Sequence, residues 1–542
     1  MDIIQAYAVA AGGILFAFFL INLLPYLAPL WKHISLFTLK HLIYPYLLHR
    51  HRFIGPCSRA ELLTQAIYLT ANLFCLSFRV SGTAKAGIRA GTLSLVNMIP
   101  LFTGPSLSFL ADRLGVSLQV YRCAHRSAGF MTVTLVLIHV LSVVSQGSFS
   151  LSPPQHLFAV IGASSLCLLI ILSLPLLRKA SYEIFLRMHQ ALAALFAYSV
   201  WRHLPADKLF PRLYLYISVG LFLFSCALQC GGILYRNGTF RYGHSRGQIT
   251  QACGTVQMKI HLSKPLKVHA GQYISVWIPS VSFWSFLQSH PFVVTSWSDG
   301  NQKSLDLFIE PRRGLTREML SHTSAADSRL VLFGGPHGIS APVGECETLL
   351  MITSDFGIAA HLPYLKQLIH GYNARNVRAR RVHLVWQLSD IDIGFAAQPL
   401  LNSALDDDRI DQGYILCISI YLESGSMHKM PFGKRATVYS GVANLQEIIH
   451  AEVAAKRSGS AGPGNGSEGS KMTIEELESG RLGRGNGKML VTGEFNDQLW
   501  FSVNLVEVSA SEKIRDDLRI IVRSYLDEKV RLLELDYQPR KK

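Results

Sequence analysis

The sequence predicts an α-helical transmembrane bundle of seven helices, followed by an antiparallel β-barrel and an α/β domain built on a parallel sheet. Uncharged stretches close to the ~20 residues that cross a bilayer crowd the first 235 of 542 positions. After Gly247, short alternating or β-branched runs separated by Gly, Pro and Ser take over. From about Thr348, apolar strands alternate with helix-like segments. Only 16% of the residues are charged, against roughly 25% in a soluble domain, which argues against an ordinary soluble enzyme.

The candidate spans lie at about 8–31, 62–78, 91–111, 127–151, 157–177, 188–201 and 213–234. The first is uncharged from Tyr7 to Trp31, longer than the ~7 to 15 apolar residues of a signal peptide, and reads as a retained anchor. The sixth is the shortest and spans only with Arg187 and Arg202 at opposite interfaces. Lys and Arg are retained on the cytoplasmic side. With the N-terminus outside, the cytoplasmic segments hold Lys32, Lys40, Arg50, Arg52, Arg59, Arg113, Arg122, Arg126, Arg178, Lys179, Arg187, Arg236, Arg241 and Arg246. The outer segments hold Arg79, Lys85, Arg89, Arg202, Lys208 and Arg212, so the count is fourteen against six. Everything after residue 235 is then cytoplasmic, and the sequons at Asn237 and Asn465 carry no glycan. The net charge of +16 contains no dense basic block, so membrane lipid, not nucleic acid, is the expected partner. His33, His41, His49 and His51 fall in a basic loop read as a membrane-surface patch. The nine cysteines contain no CxxC pair, which indicates neither a disulfide framework nor a zinc site.

In the soluble half, Thr255 to Leu262, Tyr273 to Ile278, Phe292 to Ser296 and Leu305 to Ile309 read as barrel strands. Leu349 to Thr353, a turn at Gly357, the helix-like Ala359 to His370 and the strand Val382 to Leu388 suggest a parallel nucleotide-binding sheet. The expected organisation is residues 1–90 for the first helices and basic loop, 91–235 for the core of the bundle, 245–340 for the barrel and 345–542 for the α/β domain. A Gly/Ser-rich segment marks a flexible insert at 456–488.

His125 and His139 lie on the fourth predicted helix and His189 and His203 on the sixth, each pair 14 residues apart. Fourteen residues rise about 21 Å in almost four full turns, so each pair points from one helix face at two depths. Side by side, the helices offer two stacked sites with one imidazole from each. A lone histidine in an apolar helix is more often a hydrogen-bonded bundle residue, but four at matched spacing suit two b-type haems. An iron with histidine on both axial faces has no free position and moves electrons. His125 and His189 then hold the inner haem, and His139 and His203 the outer one. Arg122, Arg126, Arg187 and Arg202 are placed to pair with haem propionates, or to anchor the helices at the interfaces.

The run His290-Pro-Phe-Val-Val-Thr-Ser296, after Gly271-Gln-Tyr273, resembles the flavin-binding signature of the ferric reductase and NADPH oxidase superfamily. The soluble half of that family is similar to ferredoxin-NADP reductase. The resemblance implies that His290, Pro291, Phe292, Val293, Val294, Thr295 and Ser296 lie along FAD. Val293 stands where the family usually has Thr, leaving only a backbone N–H. Arg312-Arg-Gly-Leu-Thr316 resembles the second flavin element, which implies Arg313, Gly314 and Thr316 near the FAD pyrophosphate; a solvated hairpin is the alternative. Gly335-Pro-His-Gly338 resembles the turn before the nicotinamide domain, and Thr353 to Pro363 its glycine-rich turn. These imply Gly335, Pro336, Gly338, Gly357, Ile358 and Ala359 at the NADPH site. Asp355 replaces a common Gly, and a carboxylate beside a pyrophosphate costs binding unless it turns away. Val506 to Arg519 and Val530 to Tyr537 resemble the last helix and strand, with Ser509-Ala-Ser511 in place of a cysteine-glycine-proline element. Tyr537 is then either an aromatic covering the flavin or a core tyrosine. Gly493 to Val506 interrupts the unit that starts at Met489 to Thr492, and reads as an insert of doubtful origin.

The resemblance covers roughly residues 90–455 and 506–537. It implies a plasma-membrane metalloreductase of fungal type, with electrons passing from cytoplasmic NADPH through FAD and two haems to extracellular ferric or cupric chelates, as in iron and copper uptake. An oxygen-reducing NADPH oxidase is the second reading, disfavoured by the equal histidine spacing and short outer loops. A haem protein that has lost NADPH oxidation is the third. The oligomeric state is not read from the sequence.

Overall fold

The computed structural model describes residues 33–50, 55–147, 151–180, 182–207, 209–238, 243–281, 289–312, 314–321, 328–408, 415–423, 435–460 and 504–537. The first expected span, Arg313, most of the flexible insert and Met489 to Thr492 lie outside them.

The chain enters through a two-stranded ribbon, β1 (Tyr46–Leu48) and β2 (Cys57–Ser58). Helix α1 (Arg59–Ser77) starts at a capping box in which Ser58 and Glu61 satisfy each other's backbone N–H groups. Helix α2 (Thr83–Met98) continues through a 3-10 turn to Phe102, and the chain then breaks by 92° into α3 (Leu107–Leu114). The expected span at 91–111 is therefore displaced to 83–102, because Gly104, at φ +146°, and Pro105 interrupt the helix. Helices α4 (Leu118–Val144), α5 (Pro154–Ser173), α6 (Pro175–Ala180), α7 (Tyr182–His203) and α8 (Leu209–Arg236) follow. Among the described residues α4, α5 and α8 are long and apolar enough to cross a membrane, and the bent pair α2–α3 makes a fourth. Helices α1 and α7 have the length but not the apolarity, and α7 carries two of the four histidines.

Small residues set the packing. A Cβ on Gly87 of α2 would stand 2.2 Å from Ser142 Oγ of α4, and one on Gly91 would stand 3.1 Å from His139 Nδ1. Gly162 of α5 lies against Ser199 of α7 in the same manner, at 3.4 Å. Helix α4 therefore packs on α2, and α7 on α5, more closely than α4 and α7 pack on one another.

The barrel strands are β3 (Arg246–Ala252), β4 (Thr255–Leu266), β5 (Tyr273–Trp277), β6 (His290–Val293), β7 (Gln302–Ile309), β8 (Ser328–Leu330) and β9 (Leu332–His337), with α9 (Leu315–Ser321) before β8. They form two antiparallel sheets, ordered β7-β4-β3-β8 and β6-β5-β9. One core fills both, with Ile249, Met258, Ile260, Ile274, Phe292 and Phe333 among its members. The alternation of each strand supplies its inward face.

The α/β domain comprises β10 (Thr348–Ser354), α10 (Ile358–Asn373), β11 (Arg381–Leu388), α11 (Ile391–Asp407), β12 (Leu416–Leu422), β13 (Ala436–Ser440), α12 (Leu445–Ser460), β14 (Asn504–Ser509), α13 (Glu512–Ser524) and β15 (Val530–Glu534). The sheet is wholly parallel, in the order β13-β12-β11-β10-β14-β15. Helices cover both faces, so Leu349 to Ile352 are buried in sequence without alternation. Asn504 to Val506, read as the end of a doubtful insert, are the first half of β14 and pair with β10 and β15. The order reverses between β10 and β14, and the carboxyl ends of these two strands form the crevice where ligands bind in such sheets.

The basic segment after residue 32, read as a loop, is helical from 33 to 43 and packs on the α/β domain through Leu36, Leu39 and Tyr44. Lys40 pairs with Asp527, and Arg50 with Glu512 and Asp516 of α13. Tyr44 is buried, and its hydroxyl accepts the Leu532 N–H.

Candidate functional site

The four histidines come together as two pairs. His125 faces His189 and His139 faces His203, with ring centroids 6.4 Å apart in both cases. A ring nitrogen bonds a metal at about 2 Å and the ring centre lies about 1 Å further back, so rings on opposite sides of one iron have centroids about 6 Å apart. Between the two levels, Val133 and Val136 of α4 join Phe196 and Ala197 of α7 in an apolar cluster.

The pairs are held differently. His139 Nδ1 donates to the Gly87 carbonyl at 2.9 Å, and His203 Nδ1 to the Gln155 carbonyl at 3.1 Å. A carbonyl only accepts, so both Nδ1 atoms carry the proton and both Nε2 atoms keep the lone pair. His125 Nδ1 and His189 Nδ1 are buried without a partner among the described residues. The donor set and its separation at both levels fit two bis-histidine irons. Of the expected propionate partners, Arg126 is exposed and Arg187 donates to Gln190. Arg202 lies instead over the ring of Phe158 on α5.

The soluble half meets the bundle at the His125 end. Asp112 of α3 bonds His337 Nδ1 at 2.5 Å and accepts the Gly338 N–H at 2.9 Å. Asn237, just after α8, accepts from Phe333 N–H and donates to its carbonyl. It is wholly buried, so the asparagine side chain presents no surface.

In the flavin segment, β6 pairs with β5, and strand alternation turns Phe292 and Val294 into the core. The Phe292 ring is thus core packing, while His290 and Pro291 stay partly open. Thr295 Oγ1 donates to the Asp306 carbonyl, and Ser296 Oγ accepts the Asp306 N–H. Val293 N–H donates to the Tyr537 carbonyl, which brings the end of the chain to this segment. Tyr537 Oη donates to Glu310 at 2.7 Å and accepts from Arg312 at 2.8 Å. Burial, with the Glu310 charge beside it, pushes the Tyr537 phenol up to about 12, so it stays a donor. Gly314, at φ +74°, turns the chain into α9, where buried Thr316 accepts the Arg312 N–H.

Of the two soluble domains, the barrel carries Gly335 and Pro336 in β9 with Gly338 just after it, where its N–H meets Asp112 of the bundle, and the α/β domain carries Gly357, Ile358 and Ala359 at the head of α10. Tyr364 bridges them: its hydroxyl accepts the Ala341 N–H and fills the space beside Gly271. A Cβ on Gly357 would lie 1.7 Å from the Ser509 carbonyl, so glycine is required there by the neighbouring strand. Ile358 and Ala359 are fully buried, backbone included. Asp355 turns away from the crevice: its carboxylate accepts Ser389 N–H and Oγ, both at 2.8 Å. Beneath the crevice lies a pair missed in the sequence reading. His361 Nδ1 and Glu507 Oε2 are 3.3 Å apart and wholly buried, with His361 Nε2, Glu507 Oε1 and Ser509 Oγ unpartnered among the described residues. Glu507 as the one charge in an apolar strand was the available signal.

Residues 90–200 match the family described as ferric reductase like transmembrane component, and residues 248–355 match an FAD-binding domain. Ferric/cupric reductase transmembrane component 2 of Saccharomyces cerevisiae is 25% identical over 350 residues, 62% of this chain and 47% of the relative. Ferric reductase transmembrane component 3 of the same yeast is 25% identical over 296 residues, covering 52% of this chain and 40% of its own. A probable cell surface ferric reductase of Aspergillus oryzae is 25% identical over 333 residues, covering 56% and 44%. The chain thus spans less than half the length of these relatives. The two matched domains follow one another in the chain, a ferric reductase like transmembrane component first and an FAD-binding domain second.

Proposed function

We propose that the protein is a transmembrane metalloreductase that takes electrons from NADPH on the side of its soluble half and delivers them to a ferric or cupric chelate on the other. The observation that carries this reading is the pair of histidine pairs, equal in spacing and in separation, on two helices that leave room between them. When bound, FAD splits the two electrons of NADPH into single ones, and two b-type haems relay these across the membrane. His125 and His189 hold the haem nearer the soluble half, with Arg122, Arg126 and Arg187 at its propionates. His139 and His203 hold the farther one. FAD would be held along β6 by His290, Pro291 and Ser296 together with Tyr537, with Arg313, Gly314 and Thr316 for its phosphates. NADPH would take the crevice beside the head of α10, at Gly357, Ile358 and Ala359. Gly335, Pro336 and Gly338 of the barrel would complete its site. The N-terminus and the distal haem face outside, at the plasma membrane. A metal acceptor is preferred over oxygen because the named relatives are ferric and ferric/cupric reductases.

The test is anaerobic addition of NADPH to the protein purified in detergent, with haem and flavin absorbance followed together. Flavin bleaching followed by reduction of two six-coordinate haems is expected. Haem that dithionite reduces and NADPH does not would refute the relay.

A further inference from the structure

Helices α5, α7 and α8 border an open cavity of about 450 Å³ at the end of the bundle remote from the soluble half. Helix α8 starts beside this cavity and ends at the barrel; its 28 residues rise about 42 Å, the full depth of a bilayer with its headgroups. The walls include Gln155, Phe158, Trp201, Arg202, Leu204 and Arg212. Among the described residues two guanidinium groups stand on this lining and no carboxylate does. Arg202 rests over the Phe158 ring at 4.8 Å. Arg212 spends one N–H on the Leu204 carbonyl at 2.8 Å, while its Nε is buried with no partner among the described residues. The Gln155 that contributes to the wall also accepts the His203 Nδ1 proton, so the cavity backs directly onto a distal iron ligand, on the side away from Nε2.

We propose that this cavity is the docking site for an anionic, carboxylate-bearing metal chelate, recognised by Arg202 and Arg212. The inference rests on the relay reading above and names its acceptor class. Planar guanidinium forks match carboxylates in geometry and charge, and Phe158 and Trp201 supply flat apolar walls. The volume suits a small organic ligand and far exceeds what dioxygen needs. One electron, originating from NADPH, passes to the chelated ferric ion and makes it ferrous, with no bond formed or broken. The placement also takes Arg202 away from the haem propionates, because it stands against α5 and not between α4 and α7.

The experiment has two arms on the full protein in detergent. In the first, redox-inert gallium(III) citrate is titrated by calorimetry. Arg202→Gln together with Arg212→Gln should weaken binding at least about tenfold, and Arg202→Gln alone, on an exposed side chain, a few-fold. In the second, protein reduced with dithionite is mixed with subsaturating ferric citrate or with hexaammineruthenium(III), a cation. The double variant should slow reoxidation by ferric citrate about tenfold, leave that by the cation unchanged, and keep the haem spectrum. No binding of gallium(III) citrate to the unaltered protein, equal slowing of both acceptors, or a changed haem content in Arg202→Gln would overturn the proposal. Absence of haem bands would defeat the relay reading while the first arm still decides the site.

Discussion

The proximal histidines, His125 and His189, and the distal ones, His139 and His203, share one spacing and one separation, yet their surroundings differ. The distal rings are each oriented by a carbonyl from a neighbouring helix, Gly87 on α2 and Gln155 on α5. The proximal rings have no such partner among the described residues and sit at the seam with the soluble half. A hydrogen bond to Nδ1 fixes the tautomer and raises the basicity of Nε2. The distal site is therefore preorganised by packing within the bundle, whereas the proximal site depends on what binds there and on the docking of the flavin domain.

The largest effect should come from removing ligands, and it should be asymmetric. His139→Ala or His203→Ala should lower haem from two to one per chain, by pyridine haemochrome, and leave the proximal haem reducible by NADPH. His125→Ala or His189→Ala should stop NADPH reduction of both levels, and ferric citrate turnover should fall at least about a hundredfold in all four. Equal behaviour of the two pairs would break the comparison. Next, Asp112→Asn should loosen the seam and slow haem reduction by NADPH about tenfold, with both haems loaded, as stopped-flow absorbance would record. Gly91→Ala tests the distal site alone. Its methyl would press on His139 Nδ1 at 3.1 Å, whereas Gly129→Ala meets only Leu101 at 3.9 Å. The first should shift the low-spin electron paramagnetic resonance of one haem, and the second neither. The smallest effect belongs to Asp355→Gly: relief of its left-handed backbone at φ +46° offsets the loss of the Ser389 bonds within about 1 kcal/mol. Its KM for NADPH should change less than about threefold.

Much of this was legible from local patterns. The 14-residue repeat, the change from uncharged runs to alternating strands and the order of strands and helices after Thr348 are properties of short windows. The misread parts depend on partners distant in sequence. Phe292 belongs to a recognisable segment, but the register of β6 on β5 sends its ring inward. Asp355 looked adverse beside a phosphate until Ser389, at the end of β11, was seen to hold it aside. The carboxylate partners of Lys40 and Arg50 lie more than 460 residues away, beyond any local pattern.

The sequence by itself determined that two helices each present histidines at two depths, since helical rise and turn are set by the backbone alone. The tertiary structure decided which nitrogen of the distal rings stays free, because their carbonyl acceptors come from helices α2 and α5, brought near by glycine and serine contacts. It also decided that Arg202 and Arg212, in different helices, share one cavity. A hydrogen bond acts over about 3 Å and a packing contact over about 4 Å, and only the assembled bundle brings such groups within that reach.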